Sequence, residues 1–165
     1  MPTDLIESDK NGKQFTQMIN GVENVAPLIS CTTLSAQETL DVYADPNGAY
    51  AFLNLPEALK AHKDAMGRGV RIRAVIEITK ENLPFVKEAM QYFTGLRHMD
   101  GISHTFAVSE KHYMSIKIPY DDPSFTQAIF SNIGWFVREQ RYLFETLWKN
   151  AIPAKQRIRE IEEGA

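Results

Sequence analysis

Apolar and polar positions change period several times along this chain, and those changes outline its elements. Phe15, Ile19, Val22, Val25 and the pair Leu28-Ile29 recur at helical spacing and predict a helix over 15–30, interrupted by Gly21 and Pro27. Residues 31–35 read as a connector. Leu40, Val42 and Ala44 alternate with other residues and end on Asp45-Pro46-Asn47-Gly48, which predicts a strand over 39–44 closed by a turn. Asn54 followed by Pro56 predicts a helix start, with Leu55, Leu59, His62 and Met66 along it and Gly67-Arg68-Gly69 as its stop. The clearest strand is 70–78. Val70, Ile72, Ala74, Ile76 and Ile78 share one face, while Arg71, Arg73, Val75 and Glu77 share the other. Thr79 can cap a helix carrying Leu83, Val86, Met90 and Phe93.

A polar bend over 96–101 leads to two short strands, 105–108 and 113–118, joined as a hairpin through 109–112. Asp122-Pro123 predicts the start of the longest helix, 124–150, with Phe125, Ile129, Ile133, Phe136, Val137, Leu143, Phe144, Leu147 and Trp148 along it. Pro153 breaks it. A charged exit helix over 154–163 has only Ile158 and Ile161 as large apolar residues, so it is expected to need a partner or a further domain. Helices alternating with strands predict an α/β fold, a mixed sheet flanked by helices with a long C-terminal helix. One domain over 13–152 is expected, between a loose polar segment 1–12 and the exit segment 153–165.

Composition adds limits. The chain has 165 residues, 44% hydrophobic and 24% charged, which suits one domain with its own core. No run of eighteen apolar residues exists, so no membrane contact is expected. The N-terminal segment has no apolar stretch of the signal-peptide kind, and Cys31 is alone; both point to the cytoplasm. A net charge of −3 with interleaved signs predicts no direct nucleic-acid contact.

Candidate chemistry concentrates in Arg97, His98, Met99, Asp100, Gly101 and His104, which could bind an anion or polar ligand or form a capped turn. Adding His112, Met114 and Cys31 gives donors suited to Cu(I) or zinc, but their spacing matches no closed metal motif, and no metal or cofactor is expected. Cys31 lacks a sequence-evident base. His62, Lys63 and Asp64 are consecutive on a helix and point in three directions. Trp135, Tyr142 and Trp148 read as core packing.

Several segments carry a resemblance. The stretch AMGRGVRIRAV (65–75) resembles the helix–Gly–strand unit of the phospholipase D-like fold. ISHTFAVSE (102–110) sits where that fold keeps its His-x-Lys-x4-Asp strand. FETLWKNA (144–151) resembles the closing helix of TrmB-type archaeal regulators, whose effector domain is a degenerate version of the fold. Residues 70–164 are also similar to sensory domains of thaumarchaeal histidine kinases. The catalytic pattern departs at two places, Phe106 for the lysine and Lys111 for the aspartate. A phenyl ring cannot hold an anionic oxygen, so the resemblance implies a sensor and not an enzyme. It implies a small-ligand cleft lined by Arg97, His98, Asp100, His104 and Phe106, and a homodimer coupled to a histidine kinase or transcriptional output module. An interaction module without a ligand, and a homodimeric phosphodiesterase, are the other readings.

Overall fold

The computed structural model describes residues 2–164. Its centre is an eight-stranded mixed sheet. In chain order the elements are α1 (Pro2–Lys10), β1 (Thr16–Asn20), α2 (Val22–Ser35), β2 (Thr39–Ala44), α3 (Gly48–Leu53) and α4 (Pro56–Gly67). There follow β3 (Arg71–Ile76), α5 (Leu83–Ala89), β4 (Gly95–His98), β5 (Thr105–Ser109), β6 (Tyr113–Lys117), β7 (Gln127–Ser131), α6 (Gly134–Asn150), β8 (Ile152–Pro153) and α7 (Ala154–Gly164). The strand order is β1-β7-β6-β5-β2-β3-β4-β8. β2, β3 and β4 are parallel neighbours, and every other pairing is antiparallel. Parallel strands need helical crossovers, which α3–α4 and α5 supply.

The alternation seen in the sequence assigns the two faces. Leu40, Ile72 and Val70 pack under α4, and Ala44, Ile76 and Ile78 pack against α3, α5 and α7. On the opposite face Tyr43, Val75, Phe106 and Val108 lie under Val137 and Phe144 of α6. One row crosses the whole sheet on that face: Met18, Ile129, Ser115, Phe106, Tyr43, Val75, Arg97 and Pro153.

β2, the core of β3, α4 and the β5–β6 hairpin form where the periodicity predicts them. Gly69, at φ 88°, ends α4 and turns the chain into β3, a conformation that other residues resist. Thr79 and Asn82 exchange backbone-to-side-chain hydrogen bonds, 2.8 and 3.2 Å, ahead of α5.

Other expectations are corrected. Residues 2–10 form α1, held by Leu5 and Ile6 against the Ile19–Phe130 cluster and by Asp9 to His112. The helix expected over 15–30 is a strand and a helix. β1 pairs with β7, and Gly21, at φ 89°, bends the chain into α2, which takes in Cys31 and the rest of the expected connector. Asn54 caps the C-terminus of α3 rather than starting α4. The bend near 96 is β4, drawn into the sheet beside β3. The expected helix over 124–150 divides into β7 and α6, because Ala128 and Phe130 point into the core while Gln127 and Ile129 point out. Trp135 and Tyr142 are exposed rather than buried. The exit helix has a core after all: Ala154 and Ile158 are buried, Ile161 packs on the Ile76–Val86 cluster, and Arg157 donates to the Ile78 carbonyl at 3.1 Å. An uncovered exit helix therefore gives no argument for a dimer.

His62 of α4 is buried between Phe52 and Phe93, with ring centroids 4.6 and 5.4 Å away. Burial holds its pKa down at about 4, against the Ala58 carbonyl bond, which favours the charged form. The unfolded chain binds this proton near pH 6.5 and the folded chain does not, so stability from this residue is full above that pH and lost on the way to pH 4. Urea unfolding at pH 7 and pH 4 should show wild type losing about 3 kcal/mol more than His62→Leu over that interval. Parallel losses in the two proteins would mean that His62 titrates normally.

Candidate functional site

Strand alternation separates the residues that the sequence clusters. Arg97 lies on the α6 face, its guanidinium 4.1 Å from the centre of the Trp148 ring and donating to the Trp148 carbonyl at 2.7 Å. His98 is buried on the opposite face. Its Nδ1 accepts from the Ile78 backbone N–H at 2.9 Å, so the proton sits on Nε2, which donates to Asp100 at 3.0 Å. The Asp100 side chain is 83% exposed. These three residues anchor α6 and brace the turn after β3, where Glu77 also accepts from the Ile102 N–H at 2.9 Å.

His104 and Phe106 do come together. His104 is exposed at the start of β5, its ring 5.4 Å from Tyr43 and 6.0 Å from Phe106. Phe106 is 1% exposed and also meets Tyr43 at 5.3 Å and Tyr113 at 5.7 Å. Tyr43 donates towards Met99 Sδ at 3.9 Å, and Phe136 of α6 stands edge-on to Tyr113 at 5.2 Å. The result is one exposed imidazole over an aromatic floor. Glu110, beside the missing aspartate, is committed to structure. Burial works against its charge, but the backbone N–H groups of Gln37 and Thr39 hold its carboxyl below the usual range. The imidazoles considered as metal ligands are engaged separately, His98 with Asp100 and His112 with Asp9 and Ser35. Among the described residues no three His, Cys, Asp or Glu side chains gather.

The strongest polar feature was not foreseen. Asp41 and Arg73, register neighbours on β2 and β3, form a buried two-point ion pair at 2.8 and 2.9 Å. Glu145 of α6 closes on the same guanidinium, which lies 5.2 Å from both the Phe144 and Trp148 ring centres. Burial opposes the charge on Arg73, but the hydrogen bonds it donates to the two carboxylates outweigh it and raise its pKa. Arg71 and Arg141 border this cluster. The signal was in the alternation: an acidic and a basic residue at inward-facing positions of the two most apolar strands.

No family model matches the sequence, and no curated protein matches it. Solved structures do. TrmBL2, an archaeal chromatin protein with a novel mode of DNA binding, matches with a TM-score of 0.61 and 16% identity over 92% of this chain. This chain spans 58% of that one. Nuc, a phospholipase D family member from Salmonella typhimurium, matches with a TM-score of 0.68 and 15% identity, over 86% of this chain and 98% of its own. NucT from Helicobacter pylori gives 0.66 and 8%, over 86% and 99%. The fold is phospholipase D-like. These likenesses overturn one expectation, that of no direct nucleic-acid contact, since the fold occurs in a DNA-binding chromatin protein. Whole-chain charge was the wrong quantity, because fields act over about 8–10 Å and a face can differ from the sum. Among the described residues no helix is long and apolar enough to cross a membrane.

Stability should rank these roles. Asp41→Asn strands a buried guanidinium and should cost about 3 kcal/mol, whereas Glu145→Gln, at a 43% exposed side chain, should cost under about 1 kcal/mol. His98→Phe keeps a ring but removes the acceptor for Ile78 and should cost about 1–3 kcal/mol, while Asp100→Ala should stay within about 0.5 kcal/mol. Denaturant melts of the four variants check the order; equal losses for His98→Phe and Asp100→Ala would defeat the bracing role.

Proposed function

We propose that this chain is a non-catalytic, ligand-responsive domain of a regulatory protein, built on the scaffold of phospholipase D-type nucleases. The observation that carries this reading is Phe106. The resemblance puts a phosphate-holding lysine at its place, and here that place is a phenyl ring 1% exposed, stacked among Tyr43, His104 and Tyr113. Charge-balanced phosphoryl transfer needs a cation beside the nucleophilic histidine, and an apolar floor destabilises the anionic transition state instead. His104 is left as a surface group without an anion partner.

A regulatory role is supported by the way α6 is mounted. Arg73 and Arg97 reach it from two adjacent strands, and its C-terminus feeds directly into β8 and α7. A ligand-induced shift of α6 would be passed to α7 through the short β8 strand that joins them. TrmBL2 shares this fold over 58% of its length, which supports a regulator in which such a domain accompanies others.

The purified chain should not hydrolyse bis(p-nitrophenyl) phosphate above background, and a panel of small metabolites should include at least one that raises its melting temperature saturably. A ligand at hundredfold excess over its Kd adds about 2.7 kcal/mol. Hydrolysis abolished by His104→Ala would overturn the reading, and so would a panel without a single saturable shift.

A further inference from the structure

The sheet face opposite His104 is incompletely filled. Val42 on β2 and Ala107 on β5 belong to central strands with neighbours on both sides, yet both are only half-buried. Their exposure opens onto a cavity of about 120 Å³ between the sheet and helices α2 to α5. Small residues create the space: Ala44, Ala74 and Ala107 from the sheet face Ala49 and Ala89 from the helices across it.

The walls are apolar, and most polar groups on them are already satisfied. Thr33 donates to the Ile29 carbonyl at 3.0 Å, Thr105 accepts from the Asp45 N–H at 3.2 Å, and Asp45 accepts from the Asn47 N–H at 2.9 Å. Two are not. His62 and Thr32, 3% and 2% exposed, are among the residues around the cavity, and their Nε2 and Oγ1 atoms have no hydrogen-bond partner among the described residues. Because Nδ1 faces the Ala58 carbonyl at 2.9 Å, it must carry the proton, which leaves Nε2 a bare acceptor. An unpaired buried acceptor costs about 1–3 kcal/mol and is not expected without a use.

We propose that this cavity is a binding site for a small, uncharged, largely apolar molecule carrying one O–H or N–H donor, which His62 Nε2 accepts while the Thr32 hydroxyl contacts the same polar end. The size fits a single ring, since a dry cavity of about 150 Å³ takes up benzene. Anionic ligands are disfavoured, because no cationic side chain lines the cavity, Asp45 would repel them, and their desolvation is not recovered. The imidazole stays neutral down to about pH 4, so its acceptor role persists through the physiological range. This inference rests on the ligand-responsive reading above and gives it a location and a ligand class; the location is not the one that the sequence suggested.

The probes are phenol, toluene and benzoate, with binding to the full chain followed by titration calorimetry and thermal shift. Phenol should bind about tenfold or more tightly than toluene, which has the same shape without the donor, and benzoate should not bind. His62→Leu should abolish the preference of phenol over toluene. Ala107→Leu, which fills the cavity from the sheet side, should abolish binding of both without lowering the melting temperature. Equal affinities for phenol and toluene in wild type, unchanged phenol binding in Ala107→Leu, or no binding of phenol at millimolar concentration would each overturn the proposal. A saturable shift by a polar metabolite that Ala107→Leu leaves intact would remove this site while leaving the sensing role standing.

Discussion

A charged side chain buried at the centre of a sheet must be neutralised, and the placement of α6 follows from that requirement. Arg73 sits on β3, one strand from the middle of the eight, on the face that α6 covers. Asp41, its register neighbour, supplies two hydrogen bonds from within the sheet. A further hydrogen bond from Nη2 goes to Glu145 above, and the rings of Phe144 and Trp148 lie against the guanidinium. Residues 144, 145 and 148 lie on one side of a helix, so one cation fixes both the position and the rotation of α6. Arg97 repeats the arrangement on β4 through the same Trp148. Gly95 permits it, because a methyl group there would stand 3.2 Å from the Trp148 ring.

With α6 fixed, the two faces of the sheet fill differently. Under α6 the side chains are large: Tyr43, Phe106, Val108 and Phe144 close the space beneath His104. On the other face the short helices α3 and α5 meet a sheet surface rich in alanine. Small residues opposite small residues leave a gap that neither partner can close, since backbone spacing is set by the sheet hydrogen bonds and the helix crossovers. The apolar gap and the two unpaired polar atoms on its wall have one structural origin.

Those same features decide what the sequence disclosed. β2 and β3 were legible because each has one consistently apolar face that alternates with residues such as Asp41, Arg71 and Arg73, so the period of two stays visible. β1 and β7 were hidden in predicted helices. Ile19 and Phe130 face the core, but Phe15, Ile129 and Ile133 are also apolar, so the spacing imitated a helix. The phospholipase D-like architecture was legible through the segments around Arg68–Arg73 and His104, which carry the turn and the central hairpin. The grouping of Arg97, His98 and Asp100 into one cleft was not a property of the fold, since neighbours on a strand point to opposite faces. The three directions of His62, Lys63 and Asp64 were read correctly. What the sequence could not show is that His62 borders a cavity, because a cavity is an absence of atoms summed over the sheet and four helices.

Phe106 is a core residue at a position where the resembled pattern has a lysine. A lysine at this position would place an ammonium group in contact with Tyr43, Tyr113 and the underside of α6, and its burial would be sustained only by a bound anion. In an enzyme the substrate provides that anion at each turnover. Here the phenyl ring fills the space and joins the Tyr43–Val75–Phe144 cluster, so its burial needs no counter-charge. Lys111 stands where the pattern has aspartate, and Glu110 is free to tie the β5–β6 turn to the start of β2. The face under α6 is thus held by packing and by the Arg73 ion cluster together, while the opposite face keeps its apolar gap.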